Sequence, residues 1–445
     1  MGRSRLDRLL GGSDILRRLA SLSGWTLASF AVEKGASILL VLILARSLGA
    51  ADFGRLVLAQ GLVNTLQIVV VLGAGAVLAR YVPAFRRDGL RRVVEVVSLC
   101  GALVLFAALV FVATAQLAGR PLMLQALSLD QAPHVATWVI GWVVLSALGN
   151  ILQTVLLSLE QGRALGVAAS VVATVSLGVA PAAANAFGLS GAVAALAFAE
   201  VCKIGVLVVF YGRLTAAAGV PMAVSPRWTD IRLLGGFGVP VFLTSALWAP
   251  TMWLGQLIIS QRAPDGLIAV GVFGFANSAL GAVILLSTLT NRAAMPIYAS
   301  LHADGRHGDL RRLSGRMALI QLAVSAAIAV PICLGAPWIM ALAGPAFGAQ
   351  WPVLVLMILT GVVIAGQTAL GNYLLVTERQ VFLLGTMVIW AVLVLAGALA
   401  FATAGAYALS GALLVAALVR TAVIGAGYAM QDGPARSMNS PIRGS

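Results

Sequence analysis

The sequence predicts an all-α integral membrane protein of about 12 transmembrane helices, arranged as two parallel six-helix lobes. Three observations carry that prediction. The 445 residues are 60% hydrophobic and only 10% charged, against roughly 45–50% and about 25% in soluble domains. The apolar residues gather into about a dozen runs near the roughly 20 residues that a membrane helix needs. The basic residues fall in alternate connections between those runs.

The first 23 residues form a basic segment, in which Ser13-Asp14-Ile15-Leu16-Arg17-Arg18-Leu19 reads as a capped amphipathic turn lying on the inner interface. Helix 1 is expected over 24–47. Trp25 to Ala45 supplies 21 residues interrupted only by Glu33-Lys34. This run is longer than a signal-peptide h-region and exits on Arg46 rather than at a small-residue cleavage site, so it reads as an uncleaved span. Helices 2 to 6 are expected at 54–79, 93–118, 135–158, 164–186 and 189–211. Residues 215–231, with Pro221 and Pro226, read as a cytoplasmic linker between an N-lobe (24–214) and a C-lobe (232–430). Helices 7 to 12 are expected at 233–260, 267–291, 317–342, 351–375, 381–403 and 405–429. Residues 431–445 remain as a cytoplasmic tail.

With the amino terminus inside, 22 of the 29 Lys and Arg fall in inner segments and 4 in outer ones (Arg46, Arg55, Arg120, Arg262). This bias fixes an inner-membrane orientation with both termini cytoplasmic and an even helix count. It also explains the net charge of +14 by lipid headgroups rather than nucleic acid. The cysteines, Cys100, Cys202 and Cys333, lie far apart in or beside apolar spans; they form no metal or disulfide spacing and read as small core residues.

Internal similarity supports the two halves. Phe187-Gly-Leu-Ser-Gly-Ala192 opens helix 6 as Tyr407-Ala-Leu-Ser-Gly-Ala412 opens helix 12. Ala147-Leu-Gly-Asn150 recurs as Ala369-Leu-Gly-Asn372, with a different spacing to the next acid. An offset of six helices keeps both copies in one orientation, with the substrate path between them.

Five ionisable residues fall well inside the spans: Glu33, Lys34, Glu200, Lys203 and Arg420. Each would cost about 2.5–3.5 kcal/mol facing lipid, so they belong in the bundle interior or a wet cavity. Lys34 reads as a cation for an anionic substrate, as the partner of a buried carboxylate or as a snorkelling side chain. Glu33 reads as a structural acceptor or a proton or sodium coupling site. Glu200 and Lys203, three apart, read first as an intrahelical pair. Arg420 has no acid within a turn and reads as a cavity cation or a packing residue. Arg80 and Arg292 end helices 2 and 8 and read as interface anchors or as a cationic ring at the inner mouth. Asn64, Gln67, Asn150, Gln153, Gln256 and Asn277 mark interior faces, as interhelical hydrogen-bonding groups or as contacts for sugar hydroxyls. Helix 7 carries Pro240 and Pro250, and helix 1, its counterpart, carries Gly35; these read as gate hinges or static kinks. No Walker loop, HExxH or GxSxG in a strand-helix context is present, and the three histidines lie in loops. The chain therefore reads as no enzyme, needing no cofactor beyond a coupling H+ or Na+.

The runs Gly24-Trp25 to Glu33-Lys34-Gly35, Leu44-Ala45-Arg46-Ser47-Leu48-Gly49 and Asp52-Phe53-Gly54 resemble the opening of the polysaccharide transporters. Those are the lipid-linked oligosaccharide (O-antigen type) flippases of the multidrug/oligosaccharidyl-lipid/polysaccharide exporter superfamily. Val270-Gly271-Val272-Phe273 with Ala276 and Pro296 is similar to their helix 8, and Leu189-Ser190-Gly191-Ala192 to the start of their helix 6. The resemblance implies a V-shaped two-lobed bundle with a central cationic cavity. It implies alternating access that moves a polyprenyl-diphosphate-linked glycan between leaflets of a bacterial inner membrane, alongside glycosyltransferases and a glycan polymerase. It places Lys34 at the diphosphate, with Arg80, Arg292, Lys203 and Arg420 by location. Two alternatives remain: a multidrug exporter of the same superfamily, which would want exposed carboxylates, and a polytopic glycan polymerase or ligase, which would want basic residues on large outer loops.

Overall fold

In hydrocarbon a chain has no water to satisfy its backbone, so apolar runs must form helices and must break only where a neighbour or an interface can compensate. A computed structural model of the chain describes residues 13–128, 133–227, 230–233 and 246–430, without the side chains of 13–34, 87, 233, 286, 289, 292, 293 and 296. The helices, numbered α1 to α12, follow the predicted order. In the first half they are α1 (13–48), α2 (50–71), α3 (Leu90–Thr114), α4 (His134–Ser158), α5 (162–187) and α6 (189–217). In the second they are α7 (Trp248–Arg262), α8 (Gly266–Ala303), α9 (His307–Ala343), α10 (Trp351–Val376), α11 (Gln380–Ala400) and α12 (Ala406–Ala429).

Nine helices among the described residues are long and apolar enough to cross a membrane. Two of these are double runs, interrupted only at Gly49 (φ 76°) and Gly188 (φ 60°). Counted on both sides of each break they give eleven, and α7, preceded by the undescribed residues 234–245, is the twelfth.

Helix ends differ from expectation where charge suggested a stop. After a break at Leu72-Gly73, α2 resumes as Ala74–Phe85, so Arg80 lies within a helix rather than ending one. Likewise α8 runs on to Ala303 and carries position 292 inside it, and α9 begins at His307 rather than near 317. A charged side chain at the interface is solvated and leaves the backbone ladder intact, so it marks the edge of the hydrocarbon and not the end of the helix. α3 likewise continues through a wide turn, Ala115–Gly119, into Arg120–Leu127.

The repeat is clearest at helix ends. α4 stops with Glu160 left-handed and Gln161 N–H donating to Leu156 O; α10 stops with Glu378 left-handed and Arg379 N–H donating to Leu374 O. Aligned on these equivalent turns, the two Ala-Leu-Gly-Asn segments lie four residues, about one turn, out of register. That accounts for their unequal distance to the acid.

The halves meet along α2, which packs on α8 and α7. Glycine permits this approach. A Cβ on Gly54 would sit 1.9 Å from the Leu267 carbonyl oxygen, and one on Gly271 would sit 2.4 Å from the Ala50 oxygen. One turn on, Gly274 faces Val57. Phe53 and Phe275 both meet Phe347 edge-on, at 6.2 and 5.7 Å. This seam lies at the end of the bundle carrying the α1–α2 and α7–α8 connections.

The linker is fastened to α3. Arg92 donates to both oxygens of Asp230 (2.7 and 2.9 Å) and to Glu95 (3.0 Å), and Arg227 pairs with Glu95 at 2.9 Å. Val224 N–H donates to Ser98 Oγ at 3.2 Å. Sequence composition marked the segment as a linker but not as a strap, because its partners sit more than a hundred residues away.

Two outcomes are expected. Gly54→Ala should lower thermal stability by about 1–3 kcal/mol, as overpacking against an unyielding backbone does, and should widen α2–α8 distances between spin labels. Gly35→Ala, with nothing within 4 Å, should do neither. Asp230→Asn should cost about 1–2 kcal/mol, the weakening of a charge-assisted hydrogen bond, and should expose the linker to protease in a timed digest.

Candidate functional site

Below the seam, α1, α2, α7 and α8 diverge around a cavity of about 560 Å³. Helical spacing aims its polar groups. On α2, Gln60, Asn64 and Gln67 recur at four and three residues, hence on one face. Gln67 Nε2 donates to Asn64 Oδ1 at 3.3 Å. From α8 come Asn277 and Ser278, from α7 Gln256, and from α1 Ser37. Apolar walls fill the gaps, chiefly Leu40, Val41, Met252 and Trp248. Trp248 is held flat against Trp390 of α11, with centroids 4.6 Å apart and planes 5° apart.

Gln256 is buried, and its Oε1 has no hydrogen-bond partner among the described residues; neither does Trp253 Nε1. Both lie against Gly61 of α2, where a Cβ would come within 2.8 Å of that oxygen and 3.0 Å of the indole Cδ1. A desolvated amide oxygen without a donor costs about 1–3 kcal/mol. The oxygen is turned against Gly61 of α2, so that cost falls within the α2–α7 contact.

Four of the six amides picked out from sequence, Asn64, Gln67, Gln256 and Asn277, therefore line one space. The other two do not line it. Asn150 is exposed on α4, close to a second polar group, and Gln153 is half-buried beyond it. In that second group Lys203 Nζ lies 2.5 Å from Glu200 Oε2, and the pair folds over Gly149, where a Cβ would meet Lys203 Cε at 2.8 Å. Lys203 and Glu200 thus form the intrahelical pair, inside the first half.

Arg420 lies in the second half, half-buried between α11 and α12, with Nε 3.5 Å from Thr386 Oγ1. Among the described residues no carboxylate lies within ion-pair distance of it. Next to it Thr421 donates to Gln367 Oε1 at 3.0 Å. Arg80 is exposed, its guanidinium 5.6 Å from the Tyr81 ring. The side chains of Glu33, Lys34 and Arg292, and residue Pro240 entirely, lie outside the described residues. Position 34 is one turn before Ser37 on α1. Among the described lining residues of the interlobe cavity there is no charged side chain.

The hinge reading also shifts. α1 passes through Gly35 without interruption, and the non-helical glycine is Gly49. Pro250 falls in the first turn of the described α7, where its missing N–H has no helical acceptor to lose.

Sequence reasoning passed over Gln60, Ser37 and Trp248. Gln60 was recoverable, since it completes the stripe with Asn64 and Gln67. It also passed over a buried polar core in the second half. There Asn291 and Gln321 exchange amide hydrogen bonds (3.1 and 3.4 Å), and Ser287 meets Ser325 at 3.3 Å.

No protein-family model and no curated protein matches the chain. Solved structures do. An inward-facing multidrug resistance MATE family transporter of the MOP superfamily overlaps it with a TM-score of 0.73 at 14% identity, over 91% of this chain and 98% of that one. An outward-facing structure of such a transporter gives 0.65 at 14% identity, over 96% and 98%. A MOP superfamily transporter from Pyrococcus furiosus, described as having a binding pocket of reversed polarity suggesting a different function, gives 0.57 at 15% identity, over 96% and 98%. The chain has the two-lobed, twelve-helix fold of these transporters.

Gln256→Met, which keeps volume and removes the unpaired oxygen, is expected to hold or raise thermal stability by about 1 kcal/mol. Gln256→Glu should lower it, as read from melting of the detergent-purified protein.

Proposed function

We propose that the chain is a membrane transporter that moves a lipid-linked oligosaccharide between leaflets by alternating access. The observation that carries this reading is the interlobe cavity: amides and hydroxyls on four helices, apolar walls between them, and no carboxylate among its described lining residues. Such a surface suits a cargo rich in hydroxyls with an apolar tail. Amide groups donate and accept together, so they match sugars of varied stereochemistry. A cationic drug, by contrast, gains most from a desolvated carboxylate.

The bias of basic residues orients the molecule. With the Arg-rich connections in the cytoplasm, the glycine seam lies at the outer end and the cavity faces inward, in the state that loads cargo. The higher overlap with the inward-facing neighbour supports the same state. Lys34, one turn inward from Ser37, then stands at the level where a diphosphate headgroup would follow its glycan into the cavity. Glu33 or the Glu200–Lys203 pair is the place for coupling to H+ or Na+. The cargo is a polyprenyl-diphosphate-linked glycan made by glycosyltransferases at the inner face, for a polymerase at the outer one.

Multidrug export is the second reading. It is favoured by the structural neighbours that are multidrug resistance transporters and by the Trp248 and Met252 wall, which would hold an aromatic cation.

The deciding experiment measures which leaflet holds the lipid-linked glycan in a deletion strain complemented with wild type or Lys34→Ala. Wild type should restore outer-leaflet glycan, and Lys34→Ala should reduce it at least about ten-fold, the weight of a lost charge-assisted contact to phosphate, at equal membrane abundance. Full restoration by Lys34→Ala would remove Lys34 from the site. Intact surface glycan in the deletion strain together with drug hypersensitivity would replace this reading with the second.

A further inference from the structure

Arg46 ends α1 on the outer flank of the seam, three residues before the break at Gly49. Its side chain is exposed, and among the described residues no carboxylate lies within ion-pair distance. The acid nearest along the chain, Asp52, is held by Arg55 at 2.5 Å. Two clefts meet on Arg46. One, about 440 Å³, runs along Leu42 and Ile43 of α1 to Asn185 of α5; the other, about 680 Å³, runs past Trp338 of α9 to the turn at Gly344. Both share Leu342.

Apart from Arg46, Ser47 and Asn185, the lining side chains are apolar. Trp338 is 72% and Leu342 56% exposed on a spanning helix, which places this wall against acyl chains rather than protein. Trp and Arg at the end of a span mark the headgroup level.

We propose that this groove holds an anionic phospholipid, with its phosphate on the Arg46 guanidinium and an acyl chain along Leu42, Ile43 and Leu342. The chemistry follows from the parts. A guanidinium presents a planar fork of donors that fits two phosphate oxygens. It stands here without a protein anion, at the depth of lipid phosphate. Asn185 supplies a further donor for an ester or glycerol oxygen, and the lane beside it is lined by the apolar Leu42, Ile43 and Leu342. The bound lipid bridges the two halves, since α1 and α5 belong to one and α9 to the other. The inference concerns the flank, not the interlobe cavity, and stands whichever cargo the transporter carries.

The test uses the full chain in nanodiscs of equal phosphatidylglycerol and phosphatidylcholine, with retained lipids counted by native mass spectrometry after release into detergent. Wild type should retain phosphatidylglycerol in preference to phosphatidylcholine. Arg46→Gln should lose that retention about ten-fold, as removal of an Arg–phosphate contact does, while Arg46→Lys, which keeps the charge without the fork, falls between the two. Arg262→Gln, at an exposed arginine on the same end of the bundle, should match wild type. All variants should elute as the same monodisperse peak, which separates lost binding from misfolding. Equal retention by wild type and Arg46→Gln would overturn the proposal. So would an equal loss in Arg262→Gln, which would mark general surface charge. Displacement by inorganic phosphate at equal occupancy of both lipids would reduce the groove to a bare anion site and overturn it too.

Discussion

The architecture depends on one close approach. Where α2 crosses α8, Gly54 and Gly271 let two helix backbones touch, and no residue with a side chain would fit without moving one of them. Small residues serve this end in membranes, where apolar association gains nothing from water release and relies on dispersion between closely packed surfaces. Because the helices touch here, they must splay at the other end, and the splay is the cavity. Phe53, Phe275 and Phe347 then plug the contact from the side. The same geometry places Gln60, Asn64 and Gln67 opposite Gln256, Asn277 and Ser278.

Polar groups inside the bundle sort themselves by what surrounds them. In the second half several satisfy one another: Asn291 with Gln321, Ser287 with Ser325, Gln367 with Thr421. Such pairs lock helix positions. In the first half Glu200 and Lys203 neutralise each other over Gly149, and that proximity offsets part of the cost of either charge in the membrane. The cavity wall is different. There the amides of α2 and α8 face open space with unused capacity. Unused capacity in a space open to water is what distinguishes a recognition surface from a packing network.

Much of this was legible in sequence, for a physical reason. Helix number, order and the two halves follow from hydrophobic run length, which the bilayer enforces directly. The α2 amides were readable because helical periodicity turns spacing into a shared face. What stayed hidden depends on contacts between distant segments. Nothing local in the Asp52-Phe53-Gly54 and Val270-Gly271 runs says that the two glycines oppose one another, though both runs carry the family resemblance. The strap from Asp230 and Arg227 to Arg92 and Glu95 is hidden for the same reason. Charge misled where it was taken to end helices at Arg80 and Arg292, since the hydrocarbon boundary and the helix boundary are separate events. A cation's location was also a poor guide to its company. Lys203 and Arg420 are both intramembrane, yet one is paired within its own helix and the other rests against a threonine in the opposite half.

The character of the seam also bears on the alternating access proposed above. The ion pairs Arg86–Glu160, Lys203–Glu200 and Arg306–Asp309 each stay within one half, and those of the linker tie it to α3. The α2–α8 contact is made instead of backbone, valine and phenylalanine. Separating such a surface gives up dispersion that lipid tails or the opposite closure can largely return, whereas separating buried ion pairs would strand charges at several kcal/mol each. Two closed arrangements of similar free energy are what an alternating machine requires, since a ligand can shift an equilibrium only by its differential affinity for the two states. In the proposed cycle an apolar, glycine-lined seam would keep that gap small. In the proposed alternating cycle the linker, bonded to α3, would travel with the first half, and the relative angle of the lobes is what binding in the cavity would act on.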